Sequence, residues 1–143
     1  MDLRQSWLLF ALGSAFFAAL TALFGKLGVA GINSNLATFI RTLVILAITA
    51  GILSLRSEWA RPAGLPWHSW LFLVLSGIAT GLSWLCYYRA LQLGPVSKVA
   101  PIDKLSVAIV IVLGLVFLGE KPSVPLLVGG GLIVAGAIVI ALF

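Results

Sequence analysis

Leu105-Ser-Val-Ala-Ile-Val-Ile-Val-Leu-Gly-Leu-Val-Phe-Leu-Gly119 is a run of 15 residues without a charge and without alternation of polar and apolar positions. A barrel strand in a membrane alternates over segments of about ten residues, and this run does not. Wound as a helix it is about 22 Å long at ~1.5 Å per residue, most of the way across a hydrocarbon layer about 30 Å thick. The same pattern recurs on both sides of it. Spans are expected from about Trp7 to Gly25, Leu36 to Leu55, Trp70 to Tyr88, Val99 to Leu118 and Val124 to Phe143. The longest connection, Arg56 to Ser69, carries Arg56, Glu58, Arg61, Pro62, Gly64, Pro66 and His68 and reads as a solvated interfacial loop. The fold expected is an all-α integral membrane protein of five transmembrane helices, one domain over residues 1–143.

Composition agrees. Hydrophobic residues make up 62% of the 143 and charged residues 9%, with a mean hydropathy of +1.19. Soluble domains hold roughly 45–50% apolar residues and about 25% charged ones. A chain this short and this apolar lacks the polar surface to cover a water-exposed fold, which excludes a soluble enzyme, a secreted disulfide scaffold and a disordered tail. Cys86 is the single cysteine and His68 the single histidine, so neither a disulfide nor a metal site is expected. No cofactor is implied. The formal charge of +5 is scattered singly through apolar sequence, without the basic run or stacking platform of a nucleic-acid binder. Arg4 precedes an apolar run, as in a secretory signal, but Gln5 to Gly25 is 21 uncharged residues, longer than the 7–15 or so of a signal core. It reads as a retained helix. No serine, cysteine or histidine arrangement suits nucleophilic catalysis, and no enzyme is expected.

Five spans put Arg4, Arg56, Arg61 and Lys121 on one side of the bilayer, side A, and Lys26, Arg41, Arg89, Lys98 and Lys104 on or near the other, side B. Orientation follows an asymmetry of Lys and Arg, and here there is almost none. Two readings stay open: a weak bias placing the N-terminus inside, if Arg41 and Lys104 are embedded and do not count, or insertion in both orientations.

Three charges stand out. Thr42 to Leu55 is 14 uncharged residues, about 21 Å of helix, and the run after Lys104 is scarcely longer. Arg41, Asp103 and Lys104 therefore enter the hydrocarbon or snorkel from its edge. Consecutive helical residues point about 100° apart, so Asp103 and Lys104 are not expected to face each other. Asp103 is expected to pair with Arg41 as a counter-ion, with Lys104 turned toward the bundle interior. Trp84, Tyr87 and Tyr88 read either as lining for a substrate path or as an interfacial aromatic belt. Gly77 and Gly81 form a GxxxG pair suited to close helix packing or to a dimer contact. Pro101, early in the fourth span, is placed to bend it and free carbonyls near Asp103.

Three stretches carry a resemblance: Ala90-Leu-Gln-Leu-Gly-Pro-Val-Ser-Lys-Val-Ala-Pro-Ile-Asp-Lys-Leu-Ser106, Phe117-Leu-Gly-Glu-Lys121, and Lys26-Leu-Gly-Val29 with Asn33-Ser-Asn-Leu-Ala-Thr-Phe-Ile-Arg41. The chain resembles the EamA-type domain of the drug/metabolite transporter superfamily, and its short single-domain members more than its long ones. Long members hold two five-span repeats of opposite orientation around a substrate cavity. The resemblance implies that these five helices are one half of an inverted-repeat bundle, completed as an antiparallel homodimer. It implies a multi-pass secondary transporter of the cell (inner or plasma) membrane that moves a small metabolite. Its partners would be that substrate, the lipid bilayer and a second copy of the chain. Small four-span relatives bind cationic drugs through an acidic residue in the first span; none stands between Trp7 and Gly25, so cation export is not implied. Embedded cations favour an anionic or zwitterionic substrate. Arg41, Asp103, Lys104, Trp84, Tyr87 and Tyr88 are the candidate substrate-binding residues. The rival readings are a non-transporting subunit of a hetero-oligomer and a flippase for a lipid-linked sugar.

Overall fold

A computed structural model describes residues 3–59 and 64–143, with side chains from Trp7 onward. The side chain of Arg4, and Arg61 and Pro62, lie outside the described residues. The protein is all-helical: α1 Leu3–Gly28, α2 Ser34–Leu55, α3 Trp67–Leu93, α4 Val96–Asp103, α5 Ser106–Phe117 and α6 Val124–Leu142. Five helical stretches are long and apolar enough to cross a membrane, α4 and α5 together counting as the fourth.

The helices start and stop where local chemistry says they should: the second, third and fourth spans begin two or three residues before the hydropathy boundaries, and the fifth begins at Val124 as expected. The Asn33 side chain accepts from the amides of Asn35 and Leu36, so α2 begins at Ser34. Ser123 does the same for Leu126, and Pro125, whose missing N–H costs nothing in a first turn, follows it into α6. α3 starts at Trp67, immediately after Pro66, whose carbonyl accepts from the Trp70 amide. Trp67, His68 and Ser69 are therefore helical and not loop as expected, and His68 rests on Phe72 with ring centroids 4.6 Å apart. Gly119, at φ +65, reverses the chain after α5, and the Glu120 amide returns to the Gly114 carbonyl. Glu120's carboxylate then lies so close over Gly114 that a Cβ there would stand 2.8 Å from it. The Leu-Gly-Glu-Lys motif is thus a helix terminator that requires glycine at 119.

The fourth span is broken near Pro101. Pro101 has no N–H for the Ser97 carbonyl, and the chain tightens after it. The amides of Lys104 and Leu105 reach back three residues, to Pro101 and Ile102, and those of Val107 and Ala108 to Lys104 and Leu105. α4 ends at Asp103, Lys104 caps it, and α5 starts at Ser106.

The residues group into two compact units, Met1–Leu23 with Leu93–Phe143, and Phe24–Gln92. In the first, α4 and α5 pack on α6, with the Ile111 methyl seated on Gly130. An apolar groove of about 390 Å³ runs along α5 and α6, lined among others by Ala108, Ile111, Leu127 and Gly131. In the second, Val29, Ala37, Tyr88 and Leu91 are the buried hydrophobic residues among those described, with Ser34 and Thr38 as buried polar ones. Large side chains such as Phe10, Phe39, Leu82 and Val139 are exposed and are suited to acyl chains, which are as apolar as they are. Gly77 and Gly81 meet nothing within 4 Å of where a Cβ would sit, so their GxxxG pair is not closed by packing among the described residues.

Candidate substrate-binding site

The site is built within the unit Phe24–Gln92 by one face of α2 and one of α3. Ser34, Ala37, Thr38 and Arg41 fall at positions i, i+3, i+4 and i+7, a single helical stripe. The first three are buried. Thr38 Oγ1 donates to the Ser34 carbonyl and Thr42 Oγ1 to the Thr38 carbonyl, so the hydroxyls here are satisfied by their own helix. Trp84, Tyr88 and Leu91 fall at i, i+4 and i+7 on α3, and Tyr88 and Leu91 are buried.

The two stripes meet through Arg41. Its guanidinium carbon lies 3.8 Å from the centroid of the Trp84 ring and 5.4 Å from that of Tyr88. A cation over an aromatic face gains about 0.5–2 kcal/mol, more where water is excluded. The ring contact leaves the guanidinium N–H donors in need of acceptors of their own. Nη1 is buried and has no hydrogen-bond partner among the described residues. The unit offers no carboxylate to supply one. Between Phe24 and Gln92 the sequence has a single acidic residue, Glu58, and it sits beyond the far end of α2, 3.8 Å from Arg56. Arg41 thus presents a fixed positive charge with a dry donor and no counter-ion from its own unit. An oxygen of an anion, entering in the guanidinium plane, would satisfy it.

Trp84 is half-buried and Tyr88 is 5% exposed, so these two rings are turned onto Arg41 and away from a lipid-facing belt. Tyr87 packs edge-on against Tyr88 at 6.3 Å. At the other end of α3, Trp67 and Trp70 are exposed, as belt residues are. Tyr88 is held in turn by Gly25, where a Cβ would approach the Tyr88 hydroxyl to 3.0 Å.

Residues that the sequence reading did not single out fix this arrangement. Lys26 Nζ donates to the Leu91 carbonyl. Gln92 Nε2 donates to the carbonyls of Ile32, at 2.6 Å, and Val29, at 3.4 Å, while Arg89 Nη1 donates to Gln92 Oε1 at 2.9 Å. The Leu91 carbonyl lies in the last turn of α3, where carbonyls lack intrahelical donors, and those of Val29 and Ile32 lie in the connection between α1 and α2; Lys26 and Gln92 supply donors to them. Gln92 is the central residue of the Ala-Leu-Gln-Leu-Gly-Pro motif. A polar side chain at the very end of an apolar span was the available signal.

Asp103 and Lys104 lie in the other unit, at the break between α4 and α5. Contrary to the expectation from helical spacing, they pair with each other, Lys104 Nζ to Asp103 Oδ2 at 3.5 Å. The 100° rule fails because the helix stops at Asp103, and the long lysine stem spans the remaining angle. Their side chains are 38% and 55% exposed. The expected pair of Asp103 with Arg41 joins residues of different units and remains an expectation.

Five apolar helical spans, one of them broken beside a charged pair, define a helical membrane protein. The EamA-like transporter family model matches residues 5–142, and the chain belongs to that family. It is 52% identical, over 99% of its own length and 100% of the other's, to a Sinorhizobium protein described as an uncharacterized transporter in the cobO 3' region. No solved structure gives a significant match. The chain is a multi-pass membrane transporter.

Proposed function

We propose that the protein is a small secondary transporter of the cell membrane that moves a small anionic or zwitterionic metabolite as an antiparallel homodimer. The observation that carries the substrate reading is Arg41, whose guanidinium carbon lies 3.8 Å from the centroid of the Trp84 ring while Nη1 is buried with no hydrogen-bond partner among the described residues. The same contact argues against a cationic substrate, because the ring face that would receive a cation already holds one. Arg41 supplies the binding charge, Trp84, Tyr87 and Tyr88 shape its surroundings, and Asp103 with Lys104 at the helix break forms a second polar element. Discontinuous helices serve transporter sites in this way, by leaving backbone carbonyls free for a solute.

The dimer rests on two observations. A five-span unit is half of the inverted arrangement expected of such transporters, and its Lys and Arg residues are nearly balanced between the two sides, four against five. Alternating access would then be an exchange between two equivalent halves.

The test of function is the metabolite profile of the medium, by mass spectrometry, around cells making the wild type or Arg41→Ala. Loss of export of anionic or zwitterionic compounds, at equal membrane levels and with the dimer intact, supports transport. Loss of assembly instead supports the rival reading of a structural subunit. The dimer is tested separately, by replacing Cys86, placing single cysteines in the connection between α2 and α3 or at the C-terminus, and labelling intact cells with an impermeant thiol reagent. Partial labelling of both sites is expected; complete labelling of one and none of the other excludes an antiparallel pair.

A further inference from the structure

We propose that Arg41 is a one-charge anion site, that its occupant is a monoanion bearing a single carboxylate, and that Trp84 is the positioning residue that gives the site its selectivity. This rests on the transport-site reading above and narrows its substrate class. The argument is one of charge and geometry. The only acid between Phe24 and Gln92, Glu58, is engaged with Arg56, so no carboxylate of its own unit neutralises the Arg41 guanidinium. Lys26 is directed to the Leu91 carbonyl and not to the donor of Arg41. One negative charge brought to Nη1 neutralises Arg41. A second would stand uncompensated among apolar residues, where embedded charge is disfavoured. The contact with Trp84, 3.8 Å from the guanidinium carbon to the ring centroid, restrains where the guanidinium sits and so where its N–H groups lie. A carboxylate, itself planar, can pair with them in the guanidinium plane. Lysine would keep the charge and lose the plane.

Trp84 also supplies the reporter. A protein with Trp84 as its one tryptophan, made by changing Trp7, Trp59, Trp67 and Trp70 to phenylalanine, is titrated in maltoside micelles at constant ionic strength. The probes are acetate, succinate, sulfate, tetraethylammonium and dihexanoyl phosphatidic acid. Acetate is expected to change the Trp84 emission saturably, with succinate and sulfate at least about tenfold weaker and tetraethylammonium without effect. Arg41→Gln abolishes the response, and Arg41→Lys weakens it about tenfold. In the wild type, where Trp84 need not be the only reporter, acetate raises the thermal midpoint and an equal concentration of sulfate does not. Trp84→Leu removes that protection and Trp84→Phe largely restores it, an outcome that packing alone would not give for a ring of different size. The proposal is overturned by any of three results: no saturable acetate response, a dianion bound as tightly as acetate, or the phosphatidic acid binding while acetate does not, which makes Arg41 a lipid-headgroup contact. Acetate binding that needs Arg41, in a protein that exports no metabolite, leaves this site standing and sinks the transport reading. Export that depends on Arg41 without carboxylate binding does the reverse.

Discussion

Arg41 in α2 and Lys104 between α4 and α5 are both cations set near one end of an apolar span, and the protein accommodates them in opposite ways. Lys104 sits where the helix has already stopped, beside a carboxylate and more than half exposed. Arg41 sits in an unbroken helix, on an aromatic ring, with Nη1 buried and without a hydrogen-bond partner among the described residues. An exposed ion pair of the first kind contributes little, about 0–1 kcal/mol. A buried unpartnered donor costs about 1–3 kcal/mol, more when charged. The contrast separates a charge paired with its neighbour from one whose Nη1 has no hydrogen-bond partner among the described residues.

That contrast can be broken at several points. The largest effect is expected at Arg41. Arg41→Gln removes a charge-assisted contact of about 1.5–3 kcal/mol, so export should fall about tenfold or more with helix content by circular dichroism unchanged. Trp84→Leu should follow, leaving the charge but losing the about 0.5–2 kcal/mol of the ring contact. It should raise the KM for export several-fold while Trp84→Phe recovers much of it. Pro101→Ala comes next. Restoring an N–H for the Ser97 carbonyl should extend α4 and raise the thermal midpoint, by up to about 3 kcal/mol of helix stability, while slowing export if the break serves turnover. Asp103→Asn should do least. It breaks a half-exposed pair, and less than about 1 kcal/mol of stability should be lost in detergent unfolding.

What the sequence made legible, and what it did not, divides along the same line. The five spans were readable because the bilayer imposes a length and a hydropathy that no neighbour can override. The starts of the second and third spans were misjudged by a few residues because Asn33 and Pro66 act through backbone hydrogen bonds, which hydropathy does not register. Pro101 announced a break but not its place, which depends on where the tightened turns run out. Arg41 was identifiable as an embedded charge by counting residues to the end of its span. Its partner was not, since Trp84 is far along the chain and an aromatic near a span's end fits an interfacial belt as well. The Asp103–Lys104 pair was misread because helical angles were applied one residue past the end of the helix. Gly25, Lys26 and Gln92 were overlooked as builders of the site because each acts on a backbone or a ring of another helix.

The most direct test is a side-by-side measurement of metabolite export from cells making equal amounts of wild type, Arg41→Gln and the double variant Asp103→Asn/Lys104→Gln. Arg41→Gln should retain about a tenth of wild-type export or less, the loss of one charge-assisted contact. The double variant, which removes an exposed pair, should retain more than about a third. Equal losses in both, or export by Arg41→Gln at the wild-type rate, would contradict the assignment of Arg41 as the charge that binds substrate.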